Sequence, residues 1–127
     1  MRVLGIEGTA WAASAAVYDT EANTVSARES DVAGEAGTES RLGPDGVFIE
    51  TEAYLPESGG IHPREATEHM AEHVPRVVET ALERARAVAA ADPDAAEGDP
   101  PVDAVAFSRG PGLGPCLRIA GTAARAL

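Results

Sequence analysis

The stretch FSRGPGLGPCLRIAG, Phe107 to Gly121, decides how the chain is read. Gly110, Gly112 and Gly114 are interleaved with Pro111 and Pro115 between an apolar run and a small-residue pattern. The run before it, Val102 to Ser108, alternates Val102, Ala104 and Ala106 with Val105 and Phe107, the pattern of a strand. The run after it places Leu117, Ala120, Ala124 and Leu127 at helical spacing. A glycine-rich turn at the carboxyl end of a strand, opening a helix, is where an open sheet holds a ligand. Glycine lets the backbone approach a ligand or another chain closely, and the prolines limit the freedom that would otherwise be lost. The stretch lacks the lysine of a phosphate-binding P-loop. Spacing alone leaves a tight structural connection as an equal reading. Cys116 at the helix start has no general base assignable from sequence, so a small packed thiol is the preferred reading over a nucleophile.

Upstream lies the longest periodic segment, IHPREATEHMAEHVPRVVETALERARAVAAA. Pro63 suits a first helical turn, where its missing N–H costs nothing, and Glu65 lies near the positive end of the helix dipole. The stripe Ala66, Met70, Val74, Val77, Val78, Ala81, Leu82, Ala85, Val88, Ala89 follows the three- and four-residue steps of a packed face. Pro75 removes the hydrogen bond to the carbonyl of Ala71, so the helix is expected to kink or divide near His73. His69 and His73 stand one turn apart with His62 before them. The Glu of an HExxH metal motif is missing, and helix-surface histidines beside a packing face are the preferred reading.

Towards the amino terminus, Val3 to Ile6 and Ala13 to Tyr18 form two short apolar runs around a turn, which predicts a hairpin. GIEGTA, Gly5 to Ala10, places Glu7, Gly8 and Thr9 at its tip, where backbone N–H groups and the Thr9 hydroxyl could receive an anion. Glu7 would repel a bare phosphate unless a cation or water intervened. A plain hairpin turn competes on equal terms. VFIETEAYL, Val47 to Leu55, alternates as a third strand. Residues 22–46 are rich in Glu, Ser, Ala and Gly and read as a solvated, mobile insertion. The order of three strands, a long helix, a strand and a helix implies an α/β domain with a mixed sheet, and a further strand is expected next.

The chain has 127 residues, a formal charge of -11, 21 carboxylates, and ten basic residues that are all Arg. One domain, or a large piece of one, fits that length. Such a surface is a poor binder of polyanions, which need Lys and Arg to displace counterions from phosphates. It suits a salt-rich cytosol, where charges are screened within about 3 Å at molar ionic strength, and reads as a halophile's protein. A single cysteine forms no internal disulfide, no run approaches the roughly 20 apolar residues that span a bilayer, and Met1-Arg2 leads straight into a strand. A cytoplasmic location and no membrane partner are expected.

GIEGTAWAASAAVYD, GGIHPREATEHMAEHVPRVV and DAVAFSRGPGLGPCLRIAGTAARAL together resemble the N-terminal portion of the archaeal tRNA N6-adenosine threonylcarbamoyltransferase family, the catalytic subunits of the KEOPS complex. The resemblance implies an actin-like (ASKHA) fold of two ribonuclease-H-like subdomains around a cleft. Residues 1–127 would be a partial, truncated first subdomain, with 22–46 as an insertion longer than the family hairpin needs. It implies transfer of threonylcarbamoyl from threonylcarbamoyl-AMP to N6 of adenosine 37 in tRNAs reading codons that begin with A, with a bound iron or similar divalent metal. The family's metal histidines belong to an HCxAH-type motif absent from this sequence, so no metal ligand and no catalytic residue is assigned here, and the chain alone is expected to be inactive. Glu7, Gly8, Thr9, Gly110, Gly112 and Gly114 would face the cleft as substrate-binding residues. The implied partners are tRNA, a small dimeric subunit on the helix face and a kinase subunit. A non-catalytic paralogue that dimerises with the enzyme is the competing expectation, and a metallopeptidase a weaker one.

Overall fold

The computed structural model describes residues 1–21, 42–43 and 46–127. The expected insertion, 22–46, lies outside the described residues except for Leu42, Gly43 and Gly46. The elements are β1 (Arg2–Glu7), β2 (Ala12–Asp19), β3 (Val47–Ala53), α1 (Pro63–Ala91), β4 (Ala104–Phe107) and α2 (Gly114–Ala126). The strands form one mixed sheet in the order β3-β2-β1-β4. β1 and β2 are an antiparallel hairpin with Leu4 opposite Val17 and Ile6 opposite Ala15. β3 adds antiparallel to β2, and β4 adds parallel to β1 with Val3 opposite Ala104 and Ile6 opposite Phe107.

Strand alternation sends Leu4, Ile6, Ala13, Ala15 and Val17 to one face, where all are buried. Both helices cover that face. Along α1, Ala66, Met70, Val74, Val77, Val78, Ala81 and Ala85 are buried, all members of the stripe expected from the sequence; Leu82 packs against it from the edge, and Val88 and Ala89, also expected, are only half-buried. The buried face of α2 consists of Cys116, Ala120 and Gly121. These residues are small, so α2 lies close to its neighbours. A methyl group on Gly121 would stand 3.3 Å from the Phe107 ring. Cys116 is fully enclosed, the packed thiol expected.

Two boundaries and the inward face of one helix differ from expectation. β3 ends at Ala53 rather than Leu55, which is exposed; of the two faces left open by the alternation, the covered one carries Phe48 and then Tyr54. α2 begins within the glycine-rich stretch, because Gly114 and Pro115 occupy a first turn that needs no N–H from proline. Its inward face is accordingly Cys116, Ala120 and Gly121, while Leu127 is exposed.

The fourth difference is Pro75, which does not divide the helix: α1 runs unbroken from Pro63 to Ala91. Met70 and Val74 before the proline and Val77 and Val78 after it are all buried in the same core, and this shared burial holds both halves in one register. Pro75 itself faces solvent. Substitution Pro75→Ala restores a backbone donor without removing packing, and is expected to raise unfolding stability by about 1–3 kcal/mol, measured by urea denaturation followed by circular dichroism.

Candidate functional site

Chain direction brings the expected residues to one end of the sheet. β1, β3 and β4 finish there, the β1–β2 turn closes there, and both helices start there. The carboxyl ends of strands and the amino ends of helices thus share one rim, the position at which open sheets bind ligands.

Two loops meet on that rim. The Leu113 N–H donates to the Thr9 carbonyl at 2.9 Å, and Ser108 N–H donates to the Ile6 carbonyl at 3.0 Å. At Gly112 a Cβ would lie 2.7 Å from the Thr9 carbonyl oxygen and 2.8 Å from Thr9 Cβ, so only glycine admits this approach. Gly8 is buried between the helices, with the position of its missing Cβ 3.1 Å from Ala120 Cβ, 3.5 Å from Val74 Cγ2 and 3.7 Å from Met70 Sδ. Glu7 turns back on its own loop, its Oε1 accepting the Thr9 N–H at 2.7 Å. Gly110 has φ +134°, a conformation that favours glycine, and Gly114 has open space around it.

Of the six expected residues, Gly8, Thr9 and Gly112 are therefore drawn into one junction, and Glu7 caps it. Gly110 and Gly114 flank the junction without contact to the Glu7–Thr9 turn within 4 Å of their missing side chains. On the sheet face opposite the helices, a shallow cavity of about 310 Å³ runs to the same rim, floored by Gly5, Ser14, Ala16 and Ala106 and bounded by Glu7 and Ser108. The Ser108 hydroxyl is buried at that boundary without a hydrogen-bond partner.

The histidines do not assemble a metal centre. No group of three His, Cys, Asp or Glu side chains suited to a metal occurs among the described residues. His62 pairs with the Ser58 hydroxyl at 2.6 Å. His69 Nε2 lies 3.0 Å from the Glu52 carbonyl, which can only accept, so this nitrogen carries the proton. The His69 and His73 rings lie against each other, tilted by 34° with centroids 4.2 Å apart.

Two further features went unread in the sequence. Trp11, Tyr54, His69 and His73 form a continuous ladder of rings, with successive centroids 6.3, 5.7 and 4.2 Å apart. The i, i+4 histidines signalled its lower half, but the register that sets Tyr54 over them was not legible. The second feature was legible by counting: Ala104 to Leu127 contains three arginines and no Asp or Glu. Arg2, Arg64 and Arg76 pair with Asp92, Glu68 and Glu72, whereas Arg109, Arg118 and Arg125 are in no ion pair among the described residues.

Tyr54 is enclosed and its hydroxyl donates to Glu65 Oε2 at 3.0 Å. Burial first, and then this bond to a carboxylate, hold its proton more tightly than the ordinary value of 10.0. The folded state thus binds this proton more tightly than the unfolded chain, so the contribution to stability is present below about pH 10 and is lost as pH rises through the folded value. Absorbance titration at alkaline pH should show one delayed phenol that Tyr54→Phe abolishes. Gly112→Ala is expected to lower stability by about 1–3 kcal/mol because Thr9 backbone must move, and Gly114→Ala to stay within about 0.5 kcal/mol, both by urea unfolding.

Residues 46–127 match the family profile described as TsaD, tRNA N6-adenosine threonylcarbamoyltransferase. The whole chain is 58% identical over 127 residues to a Haloarcula marismortui protein called "Probable bifunctional tRNA threonylcarbamoyladenosine biosynthesis protein", of which it covers 20%. A Halobacterium salinarum protein of the same description is 54% identical over 127 residues, with 18% of its length covered. Over 125 residues, 98% of this chain, identity to the tRNA N6-adenosine threonylcarbamoyltransferase of Methanococcoides burtonii is 44%, with 28% of that protein covered. The chain therefore spans about a fifth of the length of the first curated relatives it matches. The acidic, lysine-free composition accords with the haloarchaeal origin of the first two. With residues 46–127 matched by the family profile and a mixed sheet that accords with it, the chain belongs to the tRNA N6-adenosine threonylcarbamoyltransferase (TsaD) family.

Proposed function

We propose that this chain supplies one wall of the cleft of an enzyme that transfers threonylcarbamoyl from threonylcarbamoyl-AMP to N6 of adenosine 37 in tRNA. The observation that carries the reading is the seating of the Gly112 loop on the Glu7–Thr9 turn at the carboxyl ends of β1 and β4. In the transfer, the adenosine amine forms a bond to the threonylcarbamoyl carbonyl carbon, the anhydride bond to phosphate breaks, AMP departs, and the amine loses a proton. The contribution of this chain is positional. Gly8 and Gly112 fix the two loops without side chains in the way, and the small residues of the adjoining cavity floor admit a ligand close to the backbone. Positioning of this kind is a large part of catalysis, since small misplacements of reacting groups cost orders of magnitude in rate.

The divalent metal implied by family resemblance has no fitting set of ligands among the described residues, and no step here passes through it. A tRNA partner, the small dimeric and kinase subunits of the KEOPS assembly, and a cytoplasmic location belong to the same proposal. No helix among the described residues is long and apolar enough to cross a membrane.

A chimera tests the assignment. Residues 1–127 replace the matching segment of the Haloarcula marismortui relative, and modified adenosine is quantified by mass spectrometry after incubation with tRNA and threonylcarbamoyl-AMP. Turnover by the chimera is expected, with Gly112→Val lowering it about tenfold or more, and none by the 127-residue chain alone. An inactive but folded chimera would refute the reading, and robust turnover by the chain alone would refute the view that it acts only as one wall.

A further inference from the structure

The indole of Trp11 stands at the same rim and has no part in the reading above. We propose that Trp11 is a stacking platform for a nucleobase at the cleft mouth, an inference that rests on the nucleotide- and tRNA-directed function proposed for the family fold. Trp11 is 51% exposed although its neighbours Ala10 and Ala13 are buried. Single exposed apolar side chains are common and carry no meaning by themselves. This one is held in place. Its ring leans on Tyr54 at a centroid distance of 6.3 Å and an interplanar angle of 36°. Its carbonyl accepts the Tyr54 N–H at 2.7 Å, so backbone and side chain are fixed by the same partner. Tyr54, only 7% exposed, is anchored in turn by its bond to Glu65 and by the His69 ring. The outer indole surface is thus presented to solvent already ordered, which removes much of the entropic cost of immobilising it on binding.

Location and charge select the ligand class. Trp11 follows Thr9 by two residues, and Thr9 is the residue on which the Gly112 loop is seated. With a formal charge of -11, the protein gains little from attracting phosphates, least of all at high salt. Stacking between an aromatic ring and a base does not depend on that attraction and tolerates any base, because every base has a π-face. Arg109 lies in the loop that meets Thr9, a loop without Asp or Glu. The base could belong to the adenylate substrate or to the RNA, and the two sources are separable by experiment.

Trp11 is the sole tryptophan of the chain, so its fluorescence is a direct probe. The 127-residue chain in molar salt is titrated with AMP and, separately, with single-stranded oligoadenylate RNA, with N-acetyltryptophanamide as the free-indole control. Saturable quenching greater than that of free indole is expected from at least one probe, and that probe identifies the source of the base. Trp11→Ala should weaken binding of that probe about fivefold or more in calorimetry, and Trp11→Phe about twofold or less, since a phenyl ring still stacks. Linear quenching equal to that of free indole with both probes, or an unchanged affinity in Trp11→Ala, overturns the proposal. An active chimera whose turnover and RNA affinity are indifferent to Trp11→Ala overturns the platform while leaving the transferase reading intact. Saturable quenching in a protein whose chimera is inactive does the reverse.

Discussion

The structure depends on one close approach, that of Gly8 to Ala120, Val74 and Met70. At this point the end of β1, the second turn of α2 and the middle of the buried face of α1 share a volume that has no room for another carbon. Interiors are packed densely enough that a single methylene is felt, so the junction fixes the mutual height of both helices over the sheet. Once α2 is set at that height, its preceding loop falls on Thr9, and Gly112 becomes the second position without space for a side chain. The rim geometry is therefore a consequence of core packing, and the loops are held by what lies beneath them.

Much of this was legible from period and punctuation. The two-residue alternation of β1 and β2 and the stripe of α1 were readable because each element buries one face, which burial then enforces. What escaped the sequence did so for equally physical reasons. Pro75 carries a local rule that predicts a break, but burial of Met70 and Val74 before it and of Val77 and Val78 after it outweighs one missing hydrogen bond. The start of α2 was placed late because its first turn consists of Gly114 and Pro115, residues that read as loop in isolation and become helical only once Cys116 and Ala120 are packed. The inward face of β3 could not be chosen from alternation, since Phe48 and Tyr54 on one side and Ile49 and Leu55 on the other are comparably apolar.

The candidate site was legible as residues and illegible as geometry. Gly8, Thr9 and Gly112 stood out as turn formers, yet Thr9 and Gly112 are 103 positions apart, and nothing in local sequence states that they touch. The histidines are a second case. Their spacing suited helix-surface histidines beside a packing face, and it did not show that the tilted rings of His69 and His73 lie beneath Tyr54, with the N–H of His69 donating to the backbone of β3.

The parallel pairing of β1 with β4 has a kinetic consequence. The β1–β2 hairpin joins neighbours in sequence, whereas Val3 reaches its partner Ala104 only after the chain has passed through β2, β3 and the whole of α1. Loop closure over such a span is entropically costly and is recovered only when the long-range contacts form. The hairpin and α1 can accumulate locally, but the rim requires both ends of the sequence at once. In the order of folding events, the rim is thus the last surface to exist, and it forms in the same step that completes the core.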